Sequence, residues 1–357
     1  MATWDFPEQL EAKRLLDAAL EDGPAHAYLF HGPRGVGKRE AAKQFASELL
    51  GGDPRVRRGA HPDLYVLEAL GEMIRIDAIR ELRRDLHMRP FEADRRVYLI
   101  FDANLLGQEA ADALLKDLEE PPPYAVIVLV ADDLGPLPET IRSRCQHVPF
   151  RRLSEKAIRE QLPPGLDPER ATAIARVAAG RLDRVARLLD PTESKRRETL
   201  IEVARSVYAD PAFEPADAAS RLLDAVRERG QEAKEKAEAD VEPLGLPARE
   251  AEQRVRRAQR GAEREELLDA LEELAAWYRD LVVAAVGAER AVVHHDRLVE
   301  LRADAAIERL AGAEAAAELV RDAWRTLEEF NLAPQLALEA LFVRLRRELG
   351  AGAIYPL

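Results

Sequence analysis

The sequence predicts an α/β module, a parallel sheet flanked by helices, followed by an all-helical remainder. Three observations support this. Within residues 1–150, short apolar runs of strand length alternate with amphipathic helical segments. The first of those runs opens directly into a glycine-rich loop and then a helix. After Phe150 strand patterns nearly vanish, and helical periodicity continues to the end of the chain.

Taken in order, "EQLEAKRLLDAALED" repeats its apolar residues at helical spacing and predicts a first helix. "AYLFH" predicts a short buried strand running into "GPRGVGKR", and "REAAKQFASELL" a helix closed by Gly51-Gly52. Further strands are expected at "DLYVLEA", "RRVYLIF" and "AVIVLVA", with helices at "IDAIRELRRDLHM" and "QEAADALLKDLEE" between them. Beyond residue 150, "SEKAIREQL" and "PERATAIARVAAGRLDRVARLLD", separated by "PPGLDP", predict a small helical lid over residues 151–208. Residues 209–357 form a helical C-terminal domain, and the charged stretch 230–262 within it reads as a solvated helix face.

Composition narrows the class. The chain has 357 residues, 47% of them hydrophobic and 33% charged, which suits a soluble globular protein. No apolar run approaches the roughly 20 residues of a membrane span. The start "MATWDFPEQLEAKRLL" lacks a basic stretch followed by an apolar core, so a cytoplasmic setting away from membranes is expected. The single cysteine, Cys145, leaves no intramolecular disulfide and no cysteine zinc cage, and beside "HVPF" it reads as a small buried hydrophobe. The net charge of −13 argues against a chain that grips nucleic acid over its whole surface, so any such contact is local or supplied by partners.

The chemistry-bearing stretch is Gly32-Pro33-Arg34-Gly35-Val36-Gly37-Lys38-Arg39. It follows the phosphate-binding pattern G-x-x-x-x-G-K-[ST] up to its last position, where Arg39 replaces the hydroxyl that normally ligates Mg²⁺. Gly32, Pro33, Gly35, Val36, Gly37, Lys38 and Arg39 are therefore candidate nucleotide-binding residues for ATP or ADP. A structural turn that holds no nucleotide is the rival reading.

Further stretches occur in the order found in one known group. Together with the loop, "GAHPDLYVLEA", "ADALLKDLEEPPP" and "LPETIRSRCQHVPF" resemble the clamp-loader branch of the AAA+ proteins, and "AAWYRDLVV" and "NLAPQLALEALFVRL" resemble the C-terminal collar domain of a loader subunit. The resemblance implies an AAA+ phosphate-loop module over 1–150, a lid over 151–208 and a collar that assembles a ring over 209–357. It also implies partners: the gamma/tau and delta subunits of a bacterial DNA polymerase III loader, with the sliding clamp and primed DNA reached through the complex.

That branch holds members that hydrolyse ATP, of the gamma/tau type, and a member that mainly supports them. Counting back from Ala113-Leu114-Leu115-Lys116, the acidic pair closing the Walker B strand falls on Phe101 and Asp102, and the sensor-1 threonine corresponds to Asp132. With Arg39, these departures weaken metal binding, water activation and γ-phosphate stabilisation together, so the resemblance implies a scaffold without hydrolysis of its own. Arg144, within the Ser143-Arg144-Cys145 triplet, is implied to be an arginine finger acting in a neighbour's ATP site. Arg184, four residues after Gly180, is a candidate sensor-2 arginine. The four-cysteine zinc module of other members has no counterpart in "GGDPRVRRG", so neither zinc nor another metal is expected. An active gamma/tau-type ATPase is the alternative.

Overall fold

The computed structural model describes residues 4–69, 73–242, 248–330 and 333–350. The chain divides into two compact units, one of residues 1–162 with 180–183 and the other of 163–179 with 184–357. The lid expected at 151–208 is not a unit of its own; its residues are divided between the two.

The first unit is built on five parallel strands, β1 (Ala27–His31), β2 (Leu64–Leu67), β3 (Arg96–Ile100), β4 (Ala125–Ala131) and β5 (Gln146–Pro149), in the spatial order β2-β3-β4-β1-β5. Helices α1 (Leu10–Asp22), α2 (Lys38–Leu49), α3 (Pro54–Arg57), α4 (Ile76–Leu86), α5 (Gln108–Glu119), α6 (Glu139–Arg142) and α7 (Glu155–Glu160) connect and cover them. Strand alternation sends side chains to two cores. Tyr28, Phe30, Val97, Leu99 and Phe101 pack with Phe45 of α2 and Phe150, while Leu29, Tyr98 and Ile100 pack with Leu82 of α4 and Leu114 of α5. Burial on both faces explains why these strands read as unbroken apolar runs.

Order and direction of the strands build the site. Because β1, β3 and β4 run parallel, their C-terminal ends lie along one edge of the sheet, where ligands of open α/β sheets gather. His31 pairs with Ala131, so the glycine loop after β1 and Asp132 after β4 leave the sheet side by side.

The second unit is helical: α8 (Pro168–Val177), α9 (Leu182–Leu189), α10 (Pro191–Ala209), α11 (Pro215–Val241), α12 (Ala248–Ala285), α13 (Leu298–Asp304), α14 (Leu310–Phe330) and α15 (Pro334–Gly350). The first two residues of α9 are counted with the sheet unit. Its core joins Leu222 of α11, Leu274, Trp277 and Tyr278 of α12, Leu301 of α13, Ala316 of α14 and Phe342 of α15. Trp277 and Tyr278 are fully buried, Trp277 donating to Tyr208 Oη at 3.1 Å and Tyr278 donating to the Ala204 carbonyl at 3.2 Å. Of the collar stretch "NLAPQLALEALFVRL", residues 331–332 lie outside the described residues, and the rest begins α15. The charged stretch 230–262 continues α11 and α12 as helices, with residues 243–247 outside the described ones.

Candidate functional site

The glycine loop sits between the end of β1 and the start of α2, with Gly37 capping the helix and Lys38 as its first residue. Lys38 is 4% exposed, and its ammonium is held from three directions. It donates to the carbonyls of Gly32 at 2.7 Å and Pro33 at 2.5 Å, and pairs with Asp132 Oδ1 at 2.7 Å. An ammonium has three N–H donors, and these three partners use them. Desolvation pulls the Lys38 pKa below its ordinary value, and Asp132 offsets part of that loss.

At the next position Arg39 extends from α2 toward the end of β3. Its Nη2 meets both carboxylate oxygens of Asp102, at 2.8 and 2.6 Å, its Nη1 reaches Glu68 at 3.3 Å, and its guanidinium lies 4.8 Å over the Phe101 ring. Asp102 takes a left-handed backbone, φ 54°, at the turn leaving β3. A hydroxyl here would leave room for a divalent cation. A planar cation paired with Asp102 and stacked on Phe101 does not. The residues at this place do not fit Mg²⁺.

A third contact comes from a stretch that helical periodicity alone does not single out. "PERATAIARVAAGRLDRVARLLD" is not one helix: it breaks between α8 and α9, where Ala179 has φ 49° and Gly180 φ 79°. A Cβ on Gly180 would stand 2.6 Å from the Leu153 carbonyl oxygen, so the turn needs glycine both for its backbone and for its close approach. The break brings Arg181, Leu182 and Asp183 onto the glycine loop, with Leu182 N donating to the Gly35 carbonyl at 2.6 Å. Arg181, 2% exposed, forks onto Asp183 at 3.1 and 2.5 Å. The Asp183 carboxylate lies so close over the loop that a Cβ on Gly35 would be 1.7 Å from its Oδ1.

The structure therefore gathers Gly32, Pro33, Gly35, Lys38, Arg39, Phe101, Asp102 and Asp132 at one sheet edge. Val36 is buried in the core beneath the loop. Arg184 belongs to the helical unit, where it pairs with Glu272 at 3.4 Å and Glu273 at 3.6 Å. From this turn Leu182 and Asp183 meet the loop, with Arg181 gripping Asp183, and the motif reading missed all three. Their signal in the sequence is the helix-breaking Gly180 with an acid three residues on.

Arg144 stands apart, in the turn between α6 and β5. Its side chain is 34% exposed, donates to the Thr140 carbonyl at 2.8 Å and pairs with Glu119 at the end of α5 at 2.5 Å. Cys145 beside it is buried, and burial pushes its thiol pKa up to about 12, so it packs as a hydrophobe without nucleophilic character.

A strand, glycine loop and helix at the head of a parallel sheet, with the neighbouring strand ends converging on the loop, define a phosphate-loop α/β module. Residues 8–154 match the family model described as DNA polymerase III, delta subunit. The chain is 32% identical over 190 residues to DNA polymerase III subunit delta' of Bacillus subtilis, covering 50% of this chain and 57% of that one. It is 34% identical over 170 residues to subunit delta' of Pseudomonas aeruginosa, covering 43% and 52%. Subunit tau of Bacillus subtilis is 32% identical over 191 residues, covering 50% of this chain and 33% of that one. The chain thus spans about half the length of the delta' relatives it matches. Among the described residues no helix is long and apolar enough to cross a membrane.

Proposed function

We propose that the chain serves as a supporting subunit of the delta' type in a cytoplasmic DNA polymerase III clamp loader, without ATP hydrolysis of its own. Phosphoryl transfer needs a metal, a positioned water and charge neutralisation together. The observation that carries the reading is the Arg39–Asp102 ion pair, at 2.8 and 2.6 Å, filling the place where a hydrolytic member would hold its cation. The engagement of Lys38 by Asp132 points the same way, since that ammonium would otherwise meet the phosphates. The loop then acts as a folded joint closed by its own carboxylates. ATP or ADP binding, if it occurs, does not lead to turnover.

In this reading gamma/tau and delta subunits complete the ring, and the sliding clamp and primed DNA are reached through the assembly. Arg144 serves as the arginine finger in a neighbour's ATP site. Its half-buried, permanently charged guanidinium suits that role, and the Glu119 pair would hold it until a phosphate competes for it. The test is DNA- and clamp-stimulated ATP hydrolysis by loaders assembled with the parent chain or with Arg144→Ala. Arg144→Ala should assemble normally and lower the rate, and Arg144→Lys should restore it only in part. A single finger is worth roughly 10³–10⁵ at its own site, though sites with other fingers dilute the loss in the whole complex. An unchanged rate, with assembly verified, removes the finger role. The equal identity to a tau subunit keeps an active gamma/tau-type ATPase as the second reading. Turnover by the isolated chain that Lys38→Ala abolishes would establish it.

A further inference from the structure

The distal halves of α11 and α12 form an antiparallel two-helix arm within the helical unit. Its seam is made of small and short side chains: Gly230, Ala233 and Ala237 on α11, and Ala251, Val255, Ala258 and Ala262 on α12. The helices approach closely, since a Cβ on Gly230 would stand 2.4 Å from Glu263 Cγ. Beyond the seam the arm is charged throughout, and it buries little apolar surface compared with the collar core around Trp277.

The charges are not evenly mixed. At about 100° per residue, Arg249, Arg256, Arg257, Arg260 and Arg264 of α12 fall within an arc of about 100°. The centre of that arc lies roughly opposite the seam, so this face points away from α11. Arg249, Arg256, Arg257 and Arg260 are exposed and Arg264 is half-buried. From Arg256 onward a guanidinium recurs every four residues, about 6 Å of axial rise, and the whole row spans roughly 22 Å. Glu252 and Glu263 flank the arc, Glu252 pairing with Arg256 at 3.4 Å. Acidic side chains such as Glu228, Glu235 and Glu238 stand on α11. On a chain of net charge −13, this row is a local reversal of sign.

We propose that the outer face of the α12 arm is a docking surface for the phosphate backbone of duplex nucleic acid. The face has no apolar or aromatic residue in the arc, whereas a protein partner would call for an apolar anchor at the centre of the contact. A single strand would call for aromatic side chains on which bases stack, and the arc has none. What remains is a straight row of bidentate cations, complementary to a polyanion of regular spacing and indifferent to its sequence. The proposal rests on the arm's charges and geometry, and holds whichever kind of loader subunit the chain is.

The test is fluorescence anisotropy of the full chain with a labelled duplex of arbitrary sequence over a salt series. A single strand of the same length and poly-glutamate serve as comparison ligands. The parent should bind the duplex at low salt, with affinity falling by about 0.9 log units per log of salt for each contacted phosphate. Changing all five arginines to Gln should weaken binding at least about tenfold and flatten that slope, while Lys at the same positions should keep it. Single changes Arg256→Gln and Arg260→Gln, which leave the helix intact, should each reduce the slope by about one. The proposal is overturned if the duplex is not bound at low salt or if the Gln variants bind it as the parent does. Single strand binding more tightly than duplex would also overturn it. So would poly-glutamate competing as well as duplex, which would point to an acidic protein instead.

Discussion

At the scale of single residues, each substitution in the phosphate-loop motif is answered by a partner. The charge that Arg39 brings is met by Asp102, and the charge that Asp132 brings is met by Lys38. Asp183 adds a carboxylate over Gly35, itself gripped by Arg181. If these carboxylates are what close the loop, removing their charge should open it. Asp132→Asn with Asp183→Asn should bind a fluorescent ATP analogue at least about tenfold more tightly than the parent, since Lys38 regains a donor and the loop loses a competing anion. Equal affinities in a direct titration would mean that the loop is closed by its backbone shape alone. Hydrolysis should not return in this variant, because Arg39 still fills the cation place.

At the scale of elements, the strands and most helices were legible because their signals are local. The alternation in "AYLFH" and "RRVYLIF" and the periodicity of "IDAIRELRRDLHM" state their own structures. The break between α8 and α9 was not, since helix propensity runs through it and only the close approach of Gly180 to Leu153 demands the turn. For the same reason the motif reading did not single out Asp183, which the turn sets over Gly35. Within the helical unit, α12 and the segment before α13 are joined by a buried charge cluster that no motif announced. His294, fully buried, offers Nδ1 to Asp280 at 2.8 Å and Nε2 to Glu273 at 3.1 Å, so both ring nitrogens donate and the imidazolium is the form that satisfies both carboxylates. Arg197 and Arg184 face Glu273 from α10 and α9. Desolvation lowers the His294 pKa, but Glu273 and Asp280 outweigh it, and the net shift is upward from 6.5. Desolvation raises Glu273, but His294 and the two arginines outweigh it and hold its pKa well below 4.5. A raised histidine stabilises fully below its unfolded value of about 6.5 and loses that stability as pH rises through its folded value. A depressed carboxylate stabilises above about 4.5 and loses that stability as pH falls toward its folded value. Melting temperature should therefore peak between about pH 4.5 and 6.5 for this cluster. His294→Gln should lower it there and remove the decline on the alkaline side; a parent curve flat from pH 6 to 9 would contradict a protonated His294. Trp277→Ala, which empties the centre of the same core, should cost about 3–5 kcal/mol in denaturant unfolding.

At the scale of the whole molecule, the two units divide the work. The sheet unit carries a phosphate-loop frame whose loop is tied by internal ion pairs, and the helical unit supplies an apolar core with a charged arm. A motif in the sequence could announce the frame, and its departures from the pattern mark where the loop differs. The pairing that turns those substitutions into a closed loop needed the strand order, which sets Asp132 beside Gly32 and Asp102 within reach of Arg39. The most direct test of the non-hydrolysing assignment is steady-state ATP hydrolysis by the purified chain with saturating Mg²⁺. The expected result is no turnover above background, for the parent and for Lys38→Ala alike. Turnover in the ordinary enzyme range of about 1 s⁻¹ or more, lost in Lys38→Ala, would contradict it.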